Sequence, residues 1–278
     1  MNPSKWHAVN DNDRLFREVL EQEPQKVLLA LDFDGTLAPM VPNPEDSRMH
    51  EGSAAALQEL GERVGKIAII TGRGADKVRQ LGQLDQRPGF TNATVLGQYG
   101  VERWDAATGE VRAPEAPPSV AAAQRDLVRM LAELASQGKP VAGVHLEDKG
   151  RAIGVHTRRA DDPEGAMLAV DEPVRRIAEA HSLHFEPGRS VLELRSSTNT
   201  KGDALREIGT ELRPRAIAFL GDDLGDVPAF ELLAQLRERG LVCCAVVSAS
   251  QEQPGLTELA DVICDGPEGI AAWLASLT

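Results

Sequence analysis

The chain has 278 residues, 42% of them apolar and 26% charged, with a formal net charge of −13; this is the composition of a soluble globular protein with room for one large domain or a core plus an insertion. Such a charge disfavours non-specific binding to nucleic acid or to an anionic membrane, and it means that an anionic substrate needs a local cationic site. No run reaches transmembrane length, residues 1–10 carry no signal-type apolar stretch, and Cys243, Cys244 and Cys264 form no C-x-x-C pair, so the expectation is a cytoplasmic protein whose cysteines pack in its core.

In chain order, "RLFREVLEQE" reads as a helix and "KVLLALDF" as a buried strand. "SAAALQELGERV" is helical, "KIAIIT" is a second buried strand, "GADKVRQLG" is a short helix and "NATVLGQYG" holds a third strand. The alternation returns near the end: helix "KGDALREIG", strand "RAIAFLGDD", helix "VPAFELLAQLRERG", strand "LVCCAVV" and closing helix "PEGIAAWLASL". Short apolar strands alternating with helices predict an α/β fold, a Rossmann-like doubly wound parallel sheet covered on both faces. Ligands of such sheets gather at the carboxyl ends of the strands, which here read "DFDGT", "TGR", "GQYG" and "GDD".

The middle differs. After the proline-rich "APEAPPSV" comes a helix, then two strand candidates, "VAGVHLE" and "RAIGVHT", split by the turn "DKG". A second helix and two more strands, "LHFEP" and "SVLELRS", repeat the pattern. This predicts an α+β module of antiparallel strand pairs at 105–197, inserted between core segments 1–104 and 198–278.

The chemistry concentrates at the strand ends. Asp32 and Asp34 follow the first apolar strand, and two carboxylates this close repel unless a cation sits between them or one is protonated. Hard divalent ions take oxygen ligands, and Mg²⁺ suits one or two carboxylates plus phosphate oxygen. Asp32 can ligate the metal and attack phosphorus, while Asp34 can donate and accept a proton. An EF-hand calcium loop is excluded because Leu37 stands where that loop needs glycine; a plain strand-ending turn stays open for the motif alone. "IITGR" places Thr71, Gly72 and Arg73 after a second strand, and a hydroxyl and a guanidinium suit phosphate oxygens. Lys201 opens a helix, where its ammonium can neutralise a phosphoryl group and Asp32. Asp222, Asp223 and Asp226 end a later strand and can complete a metal site. Singly, each has a plainer reading: a loop, a solvated lysine, N-caps.

Together, "DFDGT", "TGR", the lysine of "TKG" and "GDDLGD" resemble the four motifs of the haloacid-dehalogenase-like phosphohydrolases. Within that superfamily, "LEDKGRAIGVHTR", "SVLELRSS…TKGDAL" and "GDDLGDVPAFELL" resemble the trehalose-6-phosphate phosphatase family. The resemblance implies a Rossmann-like core with an inserted α+β cap, and a Mg²⁺-dependent phosphatase acting on a small-molecule sugar phosphate. It implies Asp32 as nucleophile and Asp34 as acid/base, the latter also a metal ligand through its carbonyl. Thr71 and Lys201 would stabilise phosphate, with Gly72 and Arg73 on the substrate, and Asp222 would complete a Mg²⁺ site of Asp32, Asp34 and Asp222, with Asp226 nearby. Glu147 and Lys149 of "E-x-K" would grip sugar hydroxyls together with Glu193. The charge and the lack of apolar spans leave the expectation of no nucleic-acid or membrane partner, and of a monomer or small homo-oligomer.

Three segments depart from the family pattern: Tyr99 in "GQYG" replaces the usual histidine, "E-L-R-S" replaces "E-I-R-P", and "SSTNT" precedes Lys201. These leave the choice of sugar open, with a related sugar or pseudo-disaccharide phosphate as the alternative substrate and a phosphomutase or an inactive sensor as alternative functions. His145 and His156, on the two hairpin strands, are expected to have surface or interstrand roles.

Overall fold

The computed structural model describes residues 5–41, 43–188, 190–249 and 254–278. The chain divides into two compact units, Met1–Ala113 with Asn199–Thr278, and Pro114–Thr198. The first unit is built from β1 (Trp6–Ala8), α1 (Asn12–Gln22), β2 (Val27–Leu31), α2 (Glu51–Gly61), β3 (Lys66–Ile70), α3 (Ala75–Leu81), β4 (Ala93–Gly97), β5 (Glu102–Asp105) and β6 (Val111–Arg112). The second unit comprises α4 (Pro118–Ser136), β7 (His145–Asp148), β8 (Ala152–His156), α5 (Pro163–Ala180), β9 (His184–Gly188) and β10 (Val191–Arg195). The chain then returns to the first unit through α6 (Lys201–Leu212), β11 (Ala216–Gly221), α7 (Val227–Glu238), β12 (Val242–Ala249), β13 (Val262–Asp265) and α8 (Gly266–Ala275).

The first unit has one sheet of order β1-β13-β12-β11-β2-β3-β4-β5-β6. From β13 to β4 the strands run parallel, and the edges are antiparallel. β2 is buried along its whole length. Val27, Leu29 and Leu31 enter one apolar cluster, with Phe16, Leu57 and Trp273, while Leu28 and Ala30 enter the other, with Ile208, Phe230 and Leu233. A strand buried on both faces reads as a continuous apolar run, as β2 does. From β2 the chain winds outward through β3 and β4, and after the second unit it returns on the opposite side at β11. The carboxyl ends of β2 and β11 therefore flank a topological switch point, the place where doubly wound sheets bind ligands.

Several edge elements escape the sequence reading. Strands β1, β5, β6 and β13 are short. β5 and β6 form an antiparallel hairpin whose residues carry ion pairs such as Arg103–Asp105, so their apolar signal is weak. This hairpin shifts the division between units. The sequence reading began the inserted module at 105, but residues 105–113 include β6, which belongs with the core sheet, and the units divide after Ala113 and after Thr198. All three cysteines are buried. Burial pushes the Cys243 thiol up to about 12 and holds Cys244 and Cys264 above the ordinary thiol range, the state of inert core packing. Among the described residues no helix is long and apolar enough to cross a membrane.

The second unit is a four-stranded antiparallel sheet of order β7-β8-β10-β9. Val120 and Leu127 of α4 and Val170 and Val174 of α5 pack with Ile153, Val155, Leu192 and Leu194 of the sheet. Because side chains alternate along a strand, the opposite face carries His145, Glu147, Gly154, His156, Glu193 and Arg195.

Candidate active site

β2 runs directly into Asp32, whose amide donates to Leu220 O of β11 (2.8 Å), so the two strand ends are stitched together where the site begins. The chain turns at once. Gly35 has φ +76°, and a Cβ there would lie 2.1 Å from Asp222 Oδ2. Only glycine lets the Asp222 carboxylate come this close to the backbone. Ser248 Oγ donates to Gly35 O (2.7 Å), which pins the turn to β12.

Four charged side chains converge there. Lys201, 4% exposed, is the first residue of α6, fixed by a capping box between Thr200 and Asp203. Its Nζ lies 2.8 Å from Asp32 Oδ1 and 2.7 Å from Asp226 Oδ1. The other oxygen of Asp226 accepts the amides of Asp222 (2.8 Å) and Asp223 (3.1 Å), so Asp226 shapes the loop after β11. Asp32, Asp222 and Asp226 each offer an oxygen within 4.8 Å of the others. Three carboxylates face one ammonium, and the electrostatics follow from that imbalance. Burial, then the balance of Lys201 against Asp226 and Asp223, holds Asp32 well above the carboxylate range. Burial and the charges of Asp32 and Asp226 push Asp222 up to about 10. Burial pushes Asp226 up to about 6 against the pull of Lys201. Burial opposes the charge of Lys201, but Asp226 and Asp32 outweigh it and hold the ammonium well above the ordinary lysine value.

The side chain of Asp34 points elsewhere. Arg73 grips it with two nitrogens, Nη2 at 2.7 Å from Oδ1 and Nε at 2.5 Å from Oδ2, and Ser47 Oγ donates to Oδ1 (3.1 Å). The sequence reading aimed Arg73 at substrate; the structure places its fork on Asp34, with Nη1 on Pro44 O (3.0 Å). Thr71, buried at the end of β3, accepts the Arg73 amide at its Oγ1 (3.1 Å). Gly72 O accepts Gln98 Nε2 (2.8 Å). Ser47 carried no sequence signal.

On the sheet face opposite α4 and α5, Glu147, Lys149 and Glu193 meet. Lys149 Nζ lies 2.8 Å from Glu193 Oε2 and 3.9 Å from Glu147 Oε2. Glu193 is 8% exposed, and its Oε1 is buried without a hydrogen-bond partner. His156 joins the group, its Nε2 at 2.8 Å from Glu147 Oε2.

Residues 30–257 match the family model for trehalose-phosphatase. The chain belongs to the trehalose-phosphatase family. It is 34% identical over 213 residues to a trehalose-phosphate phosphatase of Mycobacterium tuberculosis, covering 73% of this chain and 50% of that protein. It is 33% identical over 214 residues to an uncharacterized glycosyl hydrolase of the same organism, of which it covers 15%. It thus spans half or less of these relatives. A probable trehalose-phosphate phosphatase of Sinorhizobium fredii is 30% identical over 225 residues, 80% of this chain and 79% of that one. The C-terminal domain of trehalose-6-phosphate phosphatase from C. albicans superposes with a TM-score of 0.75 at 19% identity, covering 98% of each chain. A haloacid dehalogenase-like hydrolase from Bacteroides thetaiotaomicron gives 0.59 at 14% identity, over 90% of this chain and 99% of that one. These structural likenesses establish the haloacid-dehalogenase-like fold.

The acidic cluster of this trehalose-phosphatase family member fits a hard divalent cation. All its donors are oxygens, and three carboxylates against one ammonium leave an excess of negative charge. Both Asp226 oxygens are already engaged, by Lys201 and by two amides. Asp32 and Asp222 are therefore the side chains best placed to ligate. At the end of β4, Gln98 (φ 48°), Tyr99 (φ 59°) and Gly100 (φ 91°) are all left-handed, a conformation that disfavours side chains by about 1–2 kcal/mol per residue. This turn brings the Tyr99 phenol over Gly72, where a Cβ would lie 2.8 Å from the hydroxyl.

The clearance at Gly35 yields a prediction. Gly35→Ala forces the Asp222 carboxylate aside and strains the turn, and a misplacement on the order of 1 Å in an active site costs about 100-fold. Turnover at this site should fall by at least that factor while circular dichroism still reports a folded chain. Wild-type turnover in the folded variant would show that Asp222 need not sit where it does.

Proposed function

We propose that this chain is a Mg²⁺-dependent phosphatase that hydrolyses trehalose 6-phosphate to trehalose and phosphate through an aspartyl phosphate on Asp32. The observation that carries the proposal is the buried constellation at the switch point: Asp32 held by Lys201, with Asp222 beside it and Asp226 bracing both the lysine and the loop. Membership of the trehalose-phosphatase family supports the substrate.

In the first step a carboxylate oxygen of Asp32 attacks phosphorus while the bond from phosphorus to the sugar oxygen breaks, and Asp34 gives that oxygen a proton. In the second, water attacks the phosphorus of the aspartyl phosphate, Asp34 takes the water's proton, and inorganic phosphate leaves with Asp32 restored. Lys201 and Thr71 hold the phosphoryl oxygens as their charge redistributes. Asp32, Asp222 and the main-chain carbonyl of Asp34 would hold Mg²⁺, which would supply the positive charge that lets an anionic nucleophile meet an anionic phosphate. Arg73 acts through Asp34 as a positioning residue: its fork on both oxygens holds Asp34 in the basic form that takes the water's proton, and Asp34 leaves the fork to carry a proton to the sugar oxygen. Glu147, Lys149 and Glu193 offer the sugar both hydrogen-bond acceptors and a donor.

Asp32→Asn tests the nucleophile. Phosphate release from trehalose 6-phosphate should fall by about 1000-fold or more with the fold unchanged, since an amide is a poor nucleophile and acts within a coupled set of groups. Near-wild-type activity would contradict the covalent mechanism. Measuring phosphate release from trehalose, sucrose, glucose and glycerate phosphates tests the substrate, and trehalose 6-phosphate should give the highest kcat/KM.

Arg73→Lys keeps the charge but loses the fork. Proton donation matters most for a sugar alkoxide and little for an aryl oxide, which leaves without help. The variant should therefore lose about 10- to 100-fold in kcat on the sugar phosphate, in line with the size of general acid catalysis, and much less on p-nitrophenyl phosphate. Equal losses on both would assign Arg73 to phosphate binding instead.

A further inference from the structure

The loop after β3, formed by Thr71, Gly72 and Arg73, is held from one side by the turn that ends β4. Each of its three carbonyls accepts a hydrogen bond from that turn: Thr71 O from the Tyr99 amide (3.0 Å), Gly72 O from Gln98 Nε2 (2.8 Å) and Arg73 O from the Gln98 amide (2.9 Å). The two backbones touch, since a Cβ on Gly97 would lie 2.9 Å from Arg73 O and 2.3 Å from Ala75 N. The side-chain bond acts on the peptide joining Gly72 to Arg73. The N–H of that same peptide donates to Thr71 Oγ1 (3.1 Å). One peptide plane is thus fixed at both ends, by the Gln98 amide at its oxygen and by the Thr71 hydroxyl at its nitrogen.

The turn makes this bond at a conformational cost. Gln98 has φ 48° and Tyr99 φ 59°, a region where glycine or asparagine sits with less strain. Gln98→Gly would close the turn and keep both main-chain bonds, so the turn alone does not call for glutamine. What glutamine adds is a buried donor, 5% exposed, that reaches Gly72 O. Strain kept for one side chain beside a reactive group is a sign of function.

We propose that Gln98 is a further positioning residue for the phosphoryl reaction: by holding the peptide between Gly72 and Arg73 it keeps the Arg73 amide on the Thr71 hydroxyl oxygen, so that the hydroxyl's one hydrogen stays directed at a phosphoryl oxygen. The inference rests on the proposed function, which sets Thr71 against the phosphoryl group. A threonine hydroxyl has one hydrogen to donate and lone pairs that accept. Gly72 has no Cβ to resist rotation, so the peptide beside it turns over easily when nothing holds its oxygen. Turned over, it would present its carbonyl to Thr71 and take that hydrogen itself. The Gln98 amide opposes this rotation.

The test compares the intact chain with Gln98→Met, which keeps the length and bulk but has no donor, and with Gln98→Asn, which suits a left-handed turn but is one carbon short. Each is also made in a Thr71→Val background. Losing the bond should lower kcat about three- to tenfold, with KM changed less than about twofold. The loss should be equal on trehalose 6-phosphate and p-nitrophenyl phosphate, because both carry the group that Thr71 meets. In the Thr71→Val background the same changes should cost less than about twofold, since residues that act through one another are not additive. A loss carried by KM, a loss of the same factor in both backgrounds, or no loss overturns the proposal. Hydrogen exchange reads the same peptide without turnover. The Arg73 amide should exchange about three- to tenfold faster in both Gln98 variants while the amides of β4 keep their protection, and unchanged exchange at Arg73 overturns the proposal. Should the wild-type chain release no phosphate from either substrate, the reading of the core site fails, and the exchange result still decides whether Gln98 holds this peptide.

Discussion

Three carboxylates, two of them buried and the third half-buried, share the end of two strands with a single ammonium, and the site in the core follows from that imbalance. Charges within 4.8 Å of one another repel by about 3–4 kcal/mol per pair at an effective dielectric near 20. One lysine cannot offset three such groups, which is why burial and mutual repulsion lift Asp222 to about 10. On the proposed reading, a cation and a phosphoryl group complete the site and offset that cost. Asp226 shows how the lysine is kept in place: one oxygen holds Lys201, the other holds the loop that carries Asp222.

The surrounding structure serves this crowding. β2 and β11 are buried throughout, so their ends are fixed by packing on both faces of the sheet. The turn at Gly35 leaves space for Asp222, and the left-handed run at residues 98–100 brings Tyr99 over Gly72. Backbone strain at the end of β4 is thus concentrated next to the loop after β3, where it fixes a side chain rather than merely closing a turn.

How much of this was legible in the sequence depended on the kind of signal. β2, β3, β11 and β12 are continuous apolar runs, and the helices between them have clear periodicity, so the doubly wound core could be read directly. The carboxyl-end motifs gave Asp32, Lys201 and Asp222, which do converge. The edge strands β5 and β6 could not be read, because charged residues such as Arg103, Asp105 and Arg112 break the apolar alternation. The partner of Arg73 was also hidden: a guanidinium beside a proposed phosphate site suggests phosphate, and only the folded chain places Asp34 within its fork. His145 and His156 read as ordinary hairpin residues. The face they share with Glu147, the gap at Gly154 and the orphaned Nδ1 of His145 appear only in three dimensions.

The chain therefore carries two polar constellations of different character. The one in the first unit is crowded with charge and suited to phosphoryl chemistry; the one in the second unit is a mixed donor-acceptor face suited to hydroxyls. The central claim concerns the first, that Asp32 becomes phosphorylated with a divalent cation beside it. Trifluoroberyllate mimics a phosphoryl group on a carboxylate, so its binding followed by fluorine NMR is the most direct measurement. The account predicts bound-fluoride resonances in the wild-type chain with Mg²⁺ present, and their disappearance on chelation or in Asp32→Asn. Resonances that persist without the metal or without the Asp32 carboxylate would contradict it.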